Sequence, residues 1–204
     1  MSEIKCVLFD IGGVLVDWHM SWITSEISKR FEIDEALISN AFSKYLHELD
    51  SGKIKEKTFW DKIATDVDSI SLKENTESLW NTYFRKNARI NHEVINLANK
   101  IKENSYTMGI ISNIEKITHK VVVDWNVLDN FEYKFMSYQI GISKPDPRIY
   151  EHVIEKLSFE PNQIIFIDDK KSNIDAAKSS GINAIHFTDF PLLKNLLSSF
   201  GLLR

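Results

Sequence analysis

The chain has 204 residues, of which 43% are hydrophobic, and a formal net charge of −4. This length fits one large domain or a domain with an insertion, and it suffices to bury a substantial core. The slight acidic excess disfavours a nucleic-acid partner, and no apolar stretch of the sequence approaches the ~18 residues of a membrane span. Because the single cysteine, Cys6, cannot form an intrachain disulfide, we expect a reduced, cytoplasmic compartment.

An apolar run at residues 4–9 predicts a buried first strand that ends at Asp10. The two glycines that follow, Gly12 and Gly13, let the backbone approach a bound group closely. A carboxylate at the carboxyl end of a parallel strand lies where open α/β sheets bind ligands. Asp10 is therefore the first candidate functional residue, although this segment alone also fits a strand that ends in a solvated turn.

Residues 17–86 contain no proline and a single glycine, and their apolar residues recur at helical spacing. Met20, Ile23, Ile27 and Phe31 follow one such period, and Asp34 is a candidate N-cap for the next helix. We predict about four helices in this segment, inserted after the first strand.

Strands and helices alternate in the remainder of the chain. We predict strands at 106–111, 133–136, 164–167 and 184–187, and helices at 94–101, 117–123, 148–157, 172–180 and 192–197. This alternation favours an α/β fold with a doubly wound parallel sheet. We therefore expect a Rossmann-like core at residues 1–16 and 87–204, and an α-helical cap at residues 17–86.

Polar side chains follow the predicted core strands or the loops beside them. They are Asp10, Ser112, Asn113, Lys144, Asp168 and Asp169. Because the carboxyl ends of parallel strands meet at one edge of a sheet, these groups can converge. Three carboxylates in one place repel each other, and their oxygens suit Mg²⁺ as the neutralising cation. A lysine and a serine hydroxyl beside that metal make a site for a phosphoryl group.

Four segments, in this order, resemble the haloacid dehalogenase superfamily of hydrolases. They are FDIGGVLVD at 9–17, IISN at 110–113, GISKPDPRIY at 141–150 and FIDDKKSNIDAA at 166–177. The helical block is similar to the cap of this family, and LDSGKI at 49–54 resembles its sugar-1-phosphate phosphatase branch. The resemblance implies a Mg²⁺-dependent phosphatase of a small phosphorylated metabolite, and it leaves the oligomeric state open.

The resemblance also implies the residues that handle the phosphoryl group. Asp10 is the nucleophile and forms an aspartyl-phosphate, which water then hydrolyses. The Ser112 hydroxyl and the Asn113 backbone N–H hold the phosphoryl oxygens. Lys144 lies between the phosphate and Asp10 and binds both.

The implied metal ligands are Asp10, the backbone carbonyl of Gly12, and Asp169. Asp168 is either a further ligand or a partner of the ligands. Asn173 stands where the family often has an Asp, and it orients a metal-bound water.

Gly12 departs from the family pattern, because family phosphatases usually carry there an Asp that acts as general acid and base. General acid–base help is worth ~10²–10⁴-fold in rate. The loss matters least for acyl phosphates, whose leaving groups depart without a proton. A replacement could come from the cap, although each candidate also fits a helix cap or a solvated face. The candidates are Asp17, His19, His47, Glu48 and Asp50.

Two alternatives stay open at this point. A 2-haloacid dehalogenase also lacks the second Asp, but it needs no metal, so the Asp168–Asp169 pair argues against it. A non-catalytic ligand-binding protein of the same fold is the other, and the retention of Asp10 and Lys144 weighs against it. A mutase is disfavoured, since moving a phosphoryl group between hydroxyls needs the missing acid–base group.

Overall fold

The computed structural model describes residues 3–203, and a five-stranded parallel sheet forms its centre. The strands of these residues are, in chain order, β1 (Cys6–Phe9), β2 (Val16–Asp17), β3 (Arg89–Ile90), β4 (Thr107–Ser112), β5 (Tyr133–Met136), β6 (Ile164–Asp168) and β7 (Asn183–His186). The central sheet has the order β5-β4-β1-β6-β7, and each neighbouring pair is parallel. Strand β1, which carries Asp10 at its end, therefore lies in the middle of the sheet.

Helices fill the connections between the strands. In chain order they are α1 (Met20–Phe31), α2 (Glu35–Asp50), α3 (Glu56–Asp66), α4 (Ile70–Lys73), α5 (Leu79–Asn87), α6 (His92–Glu103), α7 (Lys116–Asp124), α8 (Ser137–Ile140), α9 (Pro147–Leu157), α10 (Lys171–Ser179) and α11 (Phe190–Ser199). No helix within residues 3–203 combines the length and the apolar character that crossing a membrane requires.

The two faces of the sheet are buried in separate hydrophobic clusters. Val7 and Phe9 belong to one cluster, which includes residues of α6, α7 and α11. Cys6 and Leu8 belong to the other, which includes residues of α9 and α10. Because successive side chains of a strand point to opposite faces, helices on both sides bury β1 completely. This arrangement confirms the predicted doubly wound α/β fold.

Helices α1 to α5 lie between β2 and β3, which form a small antiparallel pair. The first helices follow the predicted apolar period, and the Asp34 side chain accepts hydrogen bonds from the N–H groups of Ala36 and Leu37 as the predicted N-cap. An aromatic cluster around Phe42, which stacks on Trp80 with ring centroids 5.2 Å apart, packs these helices together. The β2–β3 pair lies beside the predicted cap boundaries, and the division into core and cap stays a prediction.

The structure has one more helical segment in this region than the sequence predicts. The additional segment is α4, a four-residue turn capped by the Ser69 hydroxyl. A single turn is too short to show a hydrophobic period. The pairing of β2 with β3 was not predicted either, because two-residue strands carry no alternation that a sequence pattern can reveal.

Candidate active site

The register of the central strands brings the predicted polar residues to one edge of the sheet. Phe9 of β1 is aligned with Ile110 of β4 and with Ile167 of β6. Asp10 follows β1 directly, while Ser112 and Asp168 end their own strands. A cavity of about 290 Å³ opens at this edge, between the sheet and helices of the predicted cap.

Lys144 lies at the centre of this edge, and its side chain is completely buried. Its Nζ lies 2.9 Å from Asp10 Oδ2 and 2.6 Å from Asp168 Oδ2. It also donates a hydrogen bond of 2.9 Å to the carbonyl oxygen of Ile111. The other Asp10 oxygen, Oδ1, accepts a hydrogen bond of 2.7 Å from the Ile11 N–H. The ammonium group thus fixes two carboxylates that come from different strands.

One buried cation faces more negative charge than it can neutralise. Burial raises the pKa of Asp10 to about 7, although Lys144 opposes this shift. Burial alone would lower the pKa of Lys144, but Asp10 and Asp168 together raise it. The Lys144 ammonium group therefore stays charged. The carboxylates around it still carry negative charge that a further cation could neutralise.

The adjacent carboxylates Asp168 and Asp169 differ in their surroundings. Asp168 is fully buried, and besides Lys144 it accepts hydrogen bonds from the Lys170 N–H at 2.8 Å and from Asn173 Nδ2 at 3.0 Å. Asp169 Oδ1 is also buried, yet it has no hydrogen-bond partner among residues 3–203. A buried polar atom without a partner points to an ion or a water that completes the site.

Asp10, Asp168 and Asp169 together offer oxygen atoms that lie within 4.8 Å of one another. Carboxylate oxygens are the ligands that Mg²⁺ prefers in proteins. The donor set and the unpartnered oxygen of Asp169 therefore fit a hard divalent cation.

The atoms beside Gly12 and Gly13, the two glycines after Asp10, leave no space for a Cβ at either position. Gly13 has a φ of +76°, and a Cβ on it would lie 2.5 Å from the carboxyl carbon of Asp169. A Cβ on Gly12 would lie 2.5 Å from the indole nitrogen of Trp18. The space beside Gly12, where the family usually has an acid, is therefore occupied by the Trp18 indole.

Asn113 has a contact that the sequence analysis missed. Its Nδ2 donates to the carbonyl oxygen of Lys144 at 2.7 Å, and its Oδ1 accepts from the Lys144 N–H at 2.8 Å. The side chain of Asn113 thus fixes the backbone from which Lys144 extends. Ser112, which is 2% exposed, also lines the cavity.

The opposite wall of the cavity is largely apolar and comes from the predicted cap. Its apolar residues are Trp18, Met20, Leu46, Trp80 and Phe84. Trp80 is held in place by a hydrogen bond of 2.6 Å from its indole nitrogen to Thr118 Oγ1. These side chains give this part of the cavity lining its apolar character.

The five candidate residues for the general acid differ in whether they line the cavity. Asp50 and His19 line the cavity, whereas Asp17, His47 and Glu48 lie outside its lining. His19 is exposed and Asp50 is half-buried. Position within the fold thus reduces the five candidates to two.

Glu115 is a buried acid on the cavity that the sequence analysis did not single out. Its Oε1 accepts hydrogen bonds of 2.6 Å from both the N–H and the Oγ1 of Thr118, and so caps α7. Burial raises the pKa of Glu115 to about 7. The Glu115–Thr118 spacing, that of an N-cap, is the sequence signal that could have revealed it.

Comparison with known proteins gives one family for most of the chain. The family model described as haloacid dehalogenase-like hydrolase matches residues 4–181. Among curated relatives, a sesquiterpene phosphatase of Aspergillus oryzae is 25% identical over 198 residues, covering 92% of this chain and 92% of its own. A D-ribitol-5-phosphate phosphatase of Bacteroides thetaiotaomicron is 26% identical over 192 residues, covering 87% of this chain and 89% of its own.

Solved structures also resemble most of the chain. A HAD family enzyme from Bacteroides thetaiotaomicron, in complex with magnesium and inorganic phosphate, is similar with a TM-score of 0.74 and 25% identity. The similarity covers 93% of this chain and 98% of that enzyme.

Proposed function

Since the chain belongs to the haloacid dehalogenase-like hydrolase family, we propose that it is a Mg²⁺-dependent phosphatase of a small phosphorylated metabolite. The family match confirms the resemblance predicted from the four motifs, and it makes the chain a hydrolase. The phosphatase relatives indicate that the hydrolysed bond is a phosphoric monoester. The observation that carries the proposal is the convergence of Asp10, Lys144 and the unpartnered Asp169 on one cavity.

We assign the metal ligands from the carboxylate cluster and from the resemblance to the family. Asp10, Asp169 and the carbonyl of Gly12 would hold Mg²⁺, and the bound ion would supply positive charge beside the phosphoryl oxygens. Asp168 already accepts hydrogen bonds from Lys144, Lys170 and Asn173, so we assign it the task of positioning Lys144.

The phosphoryl group would be held by groups from three segments. The Ser112 hydroxyl and the Asn113 N–H would donate hydrogen bonds to the phosphoryl oxygens. The Lys144 ammonium would offset the negative charges of both the phosphoryl group and Asp10. A carboxylate oxygen of Asp10 attacks phosphorus and displaces the leaving-group oxygen, which forms an aspartyl-phosphate. Water then attacks the phosphorus of this intermediate and releases inorganic phosphate and free Asp10.

The dehalogenase alternative explains less of the site. Displacement of a halide by Asp10 leaves no task for the half-buried carboxylate of Asp169, whose buried Oδ1 has no partner within residues 3–203. A non-catalytic protein would not need a buried ion pair of Lys144 with Asp10 aimed into a cavity.

Phosphate release from a panel of phosphate esters, sugar phosphates and acyl phosphates tests the proposal. We expect turnover with Mg²⁺, loss of turnover with EDTA, and no turnover in Asp10→Asn under either condition. Asp17→Asn is the matched control, since Asp17 belongs to the same motif but is exposed. Activity that persists in Asp10→Asn, or that is indifferent to EDTA, would overturn the proposal.

A further inference from the structure

None of the residues assigned so far to the phosphoryl group or to the metal has the task of protonating a leaving alcohol. The usual position is Gly12, and the Trp18 indole nitrogen lies where a side chain there would begin. An indole N–H donates a hydrogen bond but is not a proton donor at neutral pH. A phosphatase of alkyl phosphates therefore needs its acid from another part of the cavity.

We propose that Asp50, the last residue of α2, is the general acid and base of this enzyme. The inference rests on the proposed phosphatase function. Asp50 and Asp10 line the same cavity, Asp50 from the end of α2 and Asp10 from the end of β1. The Asp50 carboxyl accepts no hydrogen bond from residues 3–203, whereas the carboxyl of Glu115 is bonded twice to Thr118. It is thus an acid of the cavity lining whose proton no hydrogen bond within the described residues engages.

Contacts with the core fix the position of Asp50. The Ser137 hydroxyl donates a hydrogen bond of 2.5 Å to the carbonyl oxygen of Asp50. Two residues later, Gly52 packs so closely on α8 that a Cβ would lie 2.6 Å from the carbonyl oxygen of Tyr138. The end of α2 is therefore tied to the sheet side of the molecule, and its acid is held at the cavity.

The charges around Asp50 favour its protonated form at neutral pH. Burial raises the pKa of Asp50 to about 8, and the negative charges of Glu115 and Asp10 add to this shift. Lys170 and Lys144 act in the opposite direction. A carboxyl that keeps its proton at pH 7 can give it to a leaving group.

The proposed cycle balances in protons. As the bond between phosphorus and the leaving oxygen breaks and the phosphoryl group moves to Asp10, Asp50 donates its proton to that oxygen and the alcohol departs. The Asp50 carboxylate then takes a proton from the water that attacks phosphorus. The cycle ends with hydrogen phosphate, ionised Asp10 and protonated Asp50.

The dependence on the leaving group distinguishes this role from a structural one. We compare p-nitrophenyl phosphate, whose leaving group departs as an anion, with benzyl phosphate, whose alcohol needs a proton. Asp50→Asn is expected to lower kcat on benzyl phosphate by ~10²–10⁴-fold and to change kcat on p-nitrophenyl phosphate by less than ~10-fold. Asp50→Glu, which keeps a proton donor, is expected to restore part of the benzyl phosphate activity.

The pH profile supplies a second readout. Because the protonated form of Asp50 is required, kcat on benzyl phosphate should fall as the pH rises through about 8, and Asp50→Asn should lack this limb. Glu48→Gln is the matched control, since Glu48 lies on the same helix but outside the cavity lining and pairs with Lys62 at 2.6 Å. We expect it to keep both the leaving-group dependence and the limb.

The outcomes separate this inference from the phosphatase proposal. If the parent protein hydrolyses neither compound, nor any member of the wider panel, the phosphatase proposal fails. If the parent hydrolyses p-nitrophenyl phosphate but not benzyl phosphate, or if Asp50→Asn slows both equally and keeps the alkaline limb, only the assignment of Asp50 is overturned.

Discussion

The two walls of the cavity differ in polarity. The sheet wall contains a fully buried lysine between two carboxylates, with Asn113 bonded to the backbone of that lysine and Asn173 bonded to the Asp168 carboxylate. The wall from the predicted cap consists mainly of aromatic and aliphatic side chains, with the half-buried Asp50 as its carboxylic acid. Charge that is fixed by hydrogen bonds suits phosphoryl chemistry, which is common to many substrates. An apolar wall instead selects among leaving groups, so we expect substitutions in the two walls to have different effects.

The largest effect is expected from removing the central charge of the sheet wall. Lys144→Met leaves Asp10 and Asp168 buried without their cation, which should lower the free energy of unfolding by about 3–5 kcal/mol. Turnover should fall more than ~10²-fold, because the charge that stabilises the transferring phosphoryl group is lost. Denaturant unfolding and phosphate release measure the two quantities.

The control for this variant is Lys62, a lysine of α3. Lys62→Met removes a partly exposed ion pair with Glu48, and it should cost less than about 1 kcal/mol. Equal losses in the two variants would contradict the contrast between the walls.

A smaller effect is expected where the two walls touch, at Gly12. Gly12→Ala places a Cβ against the Trp18 indole, which is itself packed against Trp80 and Phe84. We expect a loss of about 1–3 kcal/mol in the free energy of unfolding. Adding Trp18→Ala to this variant removes the collision, so the Gly12→Ala step should cost less in that background. If the losses in free energy of unfolding of Gly12→Ala and Trp18→Ala were fully additive, Gly12 and the Trp18 indole would not be in tight contact.

The smallest effect is expected from the cap wall alone. Leu46→Asn removes apolar area from the cavity lining, so KM for benzyl phosphate should rise by about 3- to 10-fold, which corresponds to about 1 kcal/mol of lost burial. Acetyl phosphate, whose leaving group is small, should show little change in kcat/KM. Leu37→Asn is the control, since Leu37 lies on the same helix and is 53% exposed. A fall in kcat for both substrates would show that Leu46 affects the phosphoryl-transfer step rather than the selection among substrates.

The sequence predicts the sheet wall far better than the cap wall. Asp10, Ser112 and Asp168 each follow a strand whose pattern is local, and parallel strands necessarily end at one edge. The pairing of the Asn113 side chain with the Lys144 backbone joins residues 31 apart, so no local pattern contains it. In the predicted cap, the sequence offers three carboxylic acids and two histidines as proton donors, and only the docking of α2 on α8 decides that Asp50 lines the cavity.

Some predictions of the sequence stay predictions. The division at residues 16 and 86, the cytoplasmic compartment and the lack of a nucleic-acid partner depend on composition and pattern alone. The roles of Ser112, Asn113, Lys144 and the metal ligands have geometric support, and variants must test them.

The most direct test of the account is to trap the phosphoryl group on the protein. The protein is mixed with acetyl phosphate and Mg²⁺, quenched in acid during turnover, digested and analysed by mass spectrometry. We expect a phosphoryl group on the peptide that contains Asp10, formed at least as fast as turnover and absent in Asp10→Asn. Turnover without any protein-bound phosphoryl group, or with the group on another residue, would contradict this expectation.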